Sequence, residues 1–259
     1  MSSEDRVPLP VEIEELAERE ELGDCLWVDK GMRSMFRETW HCIYEGGVIR
    51  TPRRGRLLSP AALWWRWSEV TELRHAPRLR FTFVAERGTV SHQYQDTFKV
   101  KLSNGKQDTF LIAEAPDLTQ AGDFFRNGVN NRLLDVNRAA QAARRHLLDK
   151  VAKAQEPETV LAMIRGETGD FGAVTATAAG VRISGHQIAW RDLRKPVTKI
   201  SVPQASELKA KPNQRRFAEA RFTGLDTEGT PVKLVLPLGE IANPEMLWEI
   251  CDTQRTFRP

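Results

Sequence analysis

The sequence lacks a long apolar run. None of its 259 residues belongs to a stretch near the roughly 20 apolar residues that a membrane-spanning helix needs. The first ten residues are polar and include Glu4, Asp5 and Arg6, whereas a signal peptide has an apolar stretch there. We therefore expect a soluble protein that stays in the cytoplasm.

Cysteine is scarce. The three cysteines, Cys25, Cys42 and Cys251, are far apart and form no CxxC pair or other metal-ligand spacing. We expect small buried residues in a reducing compartment rather than a redox pair, and no bound metal. With 41% hydrophobic residues the chain can build its core without disulfides.

Catalytic and nucleotide-binding motifs are also missing. The sequence contains no P-loop, GxGxxG, HExxH or GxSxG motif. Its five histidines are scattered; His75 lies near Glu72 and His92 precedes Asp96, but neither forms a recognisable acid–base set. We expect no cofactor and no enzymatic activity, although a site built from distant residues cannot be read from one sequence.

The first half of the chain reads as a short helix followed by strands. Gly46-Gly47 and Asn104-Gly105 each separate two apolar segments, which is typical of hairpins. After Pro116 the apolar spacing changes to three and four residues, with Asp117 and Gln120 placed as a capping box. This pattern predicts a long helix over residues 117–154, either continuous or interrupted at Gly128, which ends in the segment 154–158.

The second half repeats the order of strands and closing helix. Strands are predicted within 173–202, and a hairpin is predicted around Thr227, Glu228 and Gly229. Asn243 is predicted to cap a last helix that has Pro244 at its first position.

A short motif occurs once in each half. Gly47-Val48 is followed by Trp67 to Val70, and Gly180-Val181 is followed by Trp190 to Leu193, so both read Gly-Val, then Trp-x-acid-aliphatic. We interpret this as an internal duplication. We expect each Trp to anchor a core.

These residues resemble the early signature of bacterial pleckstrin-homology-like domains. The segment 166–172 (GETGDFG) is also similar to the lead-in to the second copy in actinobacterial proteins of unknown function. The resemblance covers about residues 25–256 and implies an α+β fold. That fold has two bent antiparallel sheets or partial barrels, each capped by a C-terminal helix, joined by a long helix. The first copy departs from the family pattern by an insertion at Thr51 to Arg66, and no ligand-binding residue carries over.

The expected domain organisation follows from these patterns. Residues 1–24 form an acidic N-terminal arm, 25–150 the first domain, 151–165 a linker and 166–259 the second domain. The arm holds nine acidic and two basic residues, a balance of −7, so the rest of the chain carries +10 against the net +3. The arm is either a solvated terminus or a mask for a basic surface.

Two segments are candidates for ligand or partner binding. Residues 50–56 form a predicted loop with four arginines, which suit phosphate or carboxylate groups. Residues 63–67 hold three tryptophans, of which Trp65 and Trp67 would point one way and Trp64 the other. The candidate site residues are Arg50, Arg53, Arg54, Arg56, Trp64 and Trp65.

The favoured hypothesis is a non-catalytic scaffold or adaptor that binds another protein through the insertion or an exposed sheet edge. The alternative is binding to anionic membrane lipids or phosphoinositide-like headgroups through the Arg-rich loop. An enzyme with an unrecognised site is the least favoured possibility. No nucleic acid is expected, because net charge is near neutral and basic residues are not interleaved with aromatics along a sheet.

Overall fold

Antiparallel sheets make up most of the described structure. A computed structural model describes residues 9–34, 37–54, 57–58, 63–113, 117–120, 138–201 and 203–257. Within these ranges the chain has an α+β fold, as predicted, with few helices and with no sheet closed into a barrel.

The N-terminal region contains a helix and a five-stranded sheet. Its elements are α1 (Val11–Arg19), β1 (Cys25–Ser34), β2 (Arg37–Tyr44), β3 (Gly47–Arg54), β4 (Leu57–Leu58) and β5 (Leu63–Arg66). The strands run β1-β2-β3, and β4 and β5 both pair with β3. Ile13 and Leu16 of α1 are buried against Trp40 and Ile49, so part of the predicted acidic arm packs on this sheet.

Longer strands follow a 3-10 turn at Trp67–Glu69. They are β6 (Val70–Val84), β7 (Thr89–Leu102), β8 (Gln107–Ala113) and β9 (Asp117–Gln120), and helix α2 (Arg138–Ile164) comes next in the described chain. The predicted hairpin at Asn104-Gly105 is confirmed: it connects β7 to β8, and Gly105 has a φ of 80°.

The C-terminal region contains a small sheet, the remaining long strands and two helices. Its elements are β10 (Gly169–Asp170), β11 (Val174–Ala176), β12 (Gly180–Ile183), β13 (His186–Ala189), β14 (Val197–Ile200), α3 (Ala205–Ala210), β15 (Asn213–Leu225), β16 (Pro231–Pro237) and α4 (Pro244–Phe257). Strands β10 to β13 form a four-stranded sheet. The predicted hairpin at 227–229 connects β15 to β16.

One seven-stranded sheet runs through both halves of the chain. Its order is β14-β15-β6-β7-β8, with β16 also on β15 and β9 also on β7. The connection between the halves is the antiparallel pairing of Asn213 to Phe217 with Thr82 to Arg78. Leu208 of α3 lies in the same apolar cluster as Leu79 and Phe81 of β6.

Asn243 makes a second connection between the halves. Its backbone N–H donates to the Leu73 carbonyl at 2.7 Å, and its side-chain oxygen accepts the Leu73 N–H at 2.7 Å. Its amide group donates to Gln155 of α2 at 2.6 Å. The predicted helix beginning at Pro244 is confirmed, but the Asn243 side-chain oxygen accepts from β6 instead of capping α4.

The predicted helix over residues 117–154 differs from the structure at both ends. Residues 117–120 form strand β9 and pair with His92 to Thr89 of β7, because the ladder satisfies more backbone groups than one capping box. Residues 121–137 lie outside the described ranges. At the other end α2 continues through Pro157 to Ile164, so the predicted linker 151–165 is helical over most of its length.

Buried side chains on both sides of Pro157 account for this continuation. Leu147 and Val151 of α2 lie in a core cluster with Trp67 and Phe98. Ala152 and Met163 of the same helix lie in a second cluster with Trp190. Such packing offsets the hydrogen bond that a proline removes from a helix.

The glycine–tryptophan motif has the same geometry in both halves. The Trp67 indole N–H donates to the Tyr44 carbonyl at 3.1 Å, and that of Trp190 donates to the Thr177 carbonyl at 3.0 Å. Each acceptor lies three residues before the motif glycine, Gly47 or Gly180. Both tryptophans are buried, as predicted.

The two glycines permit the same close approach. A Cβ on Gly47 would lie 2.2 Å from the carbonyl oxygen two residues before Trp67. A Cβ on Gly180 would lie 2.0 Å from the carbonyl oxygen two residues before Trp190. The motif therefore places a strand so close to its neighbour that a side chain has no room.

Candidate functional site

The predicted Arg-rich loop is a strand up to Arg54. Arg50 lies in β3, and its guanidinium forms an ion pair with the Asp108 carboxylate of β8. Asp108 also accepts the Trp65 indole N–H at 3.3 Å. The prediction of a loop is thus wrong for residues 50–54, and Arg50 holds β3 against β8.

The other three arginines of this segment are placed only in part. The backbones of Arg53 and Arg54 pair with Leu58 and Leu57 of β4, and Arg56 lies outside the described residues. Lipid binding through residues 50–56 stays a prediction. Among the four arginines of this segment, Arg50 already has a carboxylate partner.

The predicted tryptophan site is divided between core and surface. Trp65 is 2% exposed and packs edge-to-face on Trp67, with ring centroids 5.1 Å apart. Trp64 is 36% exposed, and the Arg66 guanidinium lies 5.9 Å from its ring centroid. Trp65 is therefore a core residue, and the prediction that it contacts a ligand or partner is wrong. Trp64 has an exposed indole.

A groove that was not predicted lies between β14 and the outer face of α4. It has a volume of about 540 Å³ and is open to solvent. Lys195, Pro196 and Thr198 form one wall. The other wall is formed by residues of α4 at helical spacing: Glu245, Trp248, Glu249, Asp252 and Thr253.

Strand β14 is an edge strand beside this groove. Within the described part of the chain it pairs only with β15, through Val197 to Ile200. Val197 is an exposed large apolar residue. An edge strand presents backbone N–H and C=O groups to which a further strand can bind. On the facing wall the Trp248 ring packs on Phe222, with centroids 5.6 Å apart, which fixes the position of the indole.

The groove is acidic. Its lining carries three carboxylates and one ammonium group. The ammonium of Lys195 already donates to Asp252 at 2.8 Å. Burial raises the pKa of Glu245, and the positive charge of His75 opposes this shift. The pKa of Lys153 of α2 is raised mainly by its hydrogen bond to Asp149 and the charge of Asp149. The charge of Glu249 adds a smaller effect in the same direction.

The structure also pairs His75 with Asp96. The His75 Nε2 and the Asp96 carboxylate are 2.7 Å apart, and the imidazole stacks on Phe98 with centroids 4.7 Å apart. Both residues are buried on the inner face of the β6–β7 pair. Such a pair could transfer a proton chemically, but its burial offers no access to a substrate, so we assign it a packing role.

The described residues contain no group of three or more His, Cys, Asp or Glu side chains able to hold a metal ion. None of the described helices combines the length and apolar character that crossing a membrane requires.

The groove was not predicted from the sequence, because the residues of its two walls are 45 or more positions apart. A signal for one wall was present: Glu245, Trp248, Glu249 and Asp252 follow helical spacing and leave a polar stripe around one indole. Nothing in the local sequence pairs that stripe with β14.

Comparisons of the chain with family models, with curated proteins and with solved structures gave no match.

Proposed function

We propose that the chain is a non-catalytic adaptor that binds an extended, basic segment of another protein in the groove between β14 and α4. The observation that carries the proposal is the edge of β14, to which no described strand other than β15 pairs, beside an open groove. An added strand would form main-chain hydrogen bonds with this edge, and its alternate side chains would enter the groove.

The charge of the groove selects the chemistry of the segment. Three carboxylates face one ammonium group, so a lysine or arginine of the ligand gains a favourable partner. The Trp248 indole offers an apolar and aromatic surface, where an aliphatic stem or a guanidinium can pack. A ligand segment that has a basic residue and, two positions from it, an aliphatic residue fits both the carboxylates and the Trp248 indole.

We also propose that the chain is an internal duplication with a pleckstrin-homology-like fold in each half. The matching indole bonds of Trp67 and Trp190, and the matching contacts at Gly47 and Gly180, support two related halves. The proposed joining helix is α2, which contributes side chains to both core clusters.

A peptide selection tests the function. The full chain is immobilised and presented with random twelve-residue peptides displayed on phage. We expect enrichment of Lys- and Arg-containing sequences, and no enrichment of acidic ones. Selection without any basic preference would contradict the proposal.

Two groove variants and one control locate the site. Thr198→Pro removes a backbone donor from the edge strand, and Glu249→Lys reverses a charge of the groove. Each should weaken binding of a selected peptide at least tenfold in fluorescence anisotropy. Glu86→Lys makes the same charge change at the exposed β6–β7 turn and should leave affinity within twofold. Equal affinity for all three variants would exclude the groove.

A further inference from the structure

Three arginines meet on one face of the seven-stranded sheet where the two halves pair. Arg80 of β6 lies directly opposite Arg215 of β15, and Arg78 lies opposite Phe217. Residues directly opposite in an antiparallel pair share a face, with Cβ atoms about 5 Å apart. Arg78 and Arg80 are two residues apart and share that face too. The pairing thus brings three guanidinium groups together from two distant segments.

No carboxylate in the described part of the chain neutralises this cluster. Among the described residues no carboxylate forms an ion pair with any of the three; the Arg78 Nε donates to the Gln95 side chain at 2.9 Å. Burial, and then the positive charges of Arg215 and Arg80, lower the pKa of Arg78. Like charges directly opposite each other destabilise a sheet. An anionic ligand would remove this repulsion.

The surroundings of the cluster carry groups suited to bases. Phe217 is 52% exposed beside Arg78. Gln95 also donates to Gln93 at 2.8 Å, so two side-chain amides lie along β7 next to the arginines. The helix α3 and its Leu208 pack on the opposite face of β6. On the arginine face Arg80, Arg215 and Phe217 are exposed, so no described residue covers them and a ligand could lie along the sheet there.

We infer that Arg78, Arg80 and Arg215, with Phe217, form a binding site for single-stranded nucleic acid. The planar guanidinium groups suit backbone phosphates, and an exposed aromatic ring on a sheet is a platform on which a base stacks. A membrane surface fits less well, because the cluster lies within the β6–β15 ladder and not on a protruding apolar loop. This site goes beyond the proposed adaptor function and shares no residue with the groove.

The sequence did not predict it, since near-neutral overall charge argued against nucleic acid. The arginines come from segments about 135 residues apart, and only the β6–β15 pairing makes them neighbours. Arg215 and Phe217 lie two residues apart on β15, and the pairing with β6 adds Arg78 and Arg80 to their face of the sheet.

Fluorescence anisotropy of the full chain with labelled dT12 and U12 oligonucleotides tests the site. Three phosphate contacts on a single strand give a slope of about −2 in log affinity against log salt, which is about a 20-fold loss between 50 and 200 mM. The triple variant Arg78→Gln, Arg80→Gln, Arg215→Gln should reduce affinity at 50 mM salt at least tenfold and flatten the slope. Phe217→Ala should reduce affinity by about 5- to 150-fold through lost stacking.

A matched triple variant controls for general charge. Arg145→Gln, Lys150→Gln and Arg182→Gln remove three exposed cations outside the seven-stranded sheet and should leave affinity within twofold. The arginine-cluster variant should melt at the same temperature as the unaltered chain or higher, because like-charge repulsion is removed. Absence of oligonucleotide binding at 50 mM salt would overturn the proposal. So would equal binding by both triple variants, or arginine-dependent binding to anionic vesicles in place of oligonucleotides.

Discussion

Replacement of Asn243 by Ala should destabilise the whole chain strongly. The side chain is buried and bonds to both Leu73 of β6 and Gln155 of α2. Its loss leaves the buried Leu73 N–H without a partner, at about 1–3 kcal/mol, and also removes the bond to the half-buried Gln155 side chain, at about 1 kcal/mol. Asn243 also has a φ of 46°, where Ala costs about 1 kcal/mol more than Gly. We expect a loss of about 3 kcal/mol or more in the free energy of unfolding.

Urea denaturation followed by circular dichroism measures this loss. Asn243→Gly keeps the backbone conformation but removes the same side-chain bonds, so it should recover only about 1 kcal/mol. A double-mutant cycle of Asn243→Gly with Gln155→Ala should give a coupling energy of at least 0.5 kcal/mol. Asn104→Ala is the control, because the Asn104 side chain accepts one backbone N–H at an exposed turn.

Two results would contradict this role of Asn243. A loss below about 0.5 kcal/mol for Asn243→Ala would mean that the contacts between α4, β6 and α2 do not hold the halves together. An unfolding curve with two separate transitions, of which only one shifts, would show that the halves unfold independently.

Three further predictions concern the motif and the groove. Gly47→Ala and Gly180→Ala should each cost about 3 kcal/mol in urea denaturation, because each new Cβ meets a backbone oxygen closer than 2.5 Å. Trp67→Phe and Trp190→Phe should each cost about 2 kcal/mol, as each leaves a carbonyl without its indole donor. Burial raises the pKa of Glu245 above its ordinary 4.5, so ionisation of this carboxyl at pH 7 opposes folding. Glu245→Gln should therefore raise the thermal midpoint at pH 7. The gain should vanish towards pH 4, where the carboxyl is protonated in the folded and unfolded states.

Each of these has a control. Gly88→Ala, at a glycine with a φ of 57° and open space around it, should cost only about 1 kcal/mol. Unequal costs for Trp67 and Trp190, by more than about 1 kcal/mol, would contradict equivalent roles. Glu249→Gln lies on the same wall of the groove and should not show the pH-dependent gain; if it does, the Glu245 assignment is wrong.

Local sequence signals predicted the elements that local physics determines. The hairpins at Asn104-Gly105 and at 227–229 depend on turn residues with positive φ, and both form as predicted. The short helix from Val11 and the final helix from Pro244 follow apolar spacing, and they too are present.

Elements that depend on distant pairing were mispredicted or missed. The residues 117–120 carry a capping-box pattern, yet they form a strand because β7 offers an edge to them. Strand β6 runs through Pro77, and its ladder with β15 begins at Arg78, directly after the proline. A proline has no N–H to donate, so it can mark the end of a ladder without ending the strand.

The candidate sites show the same limit. The Arg50 side chain was predicted to be a ligand contact, but Asp108, which lies 58 residues away, supplies its partner. Both the groove and the arginine face combine residues from separate segments. Their spacing carries no pattern in one sequence.

The most direct test of the adaptor function is hydrogen–deuterium exchange of the full chain with and without a selected basic peptide. We expect slower exchange of the amides of β14, Val197–Ile200, and of the facing residues of α4 when the peptide is bound. Protection elsewhere, with β14 unchanged, would contradict recognition at this groove.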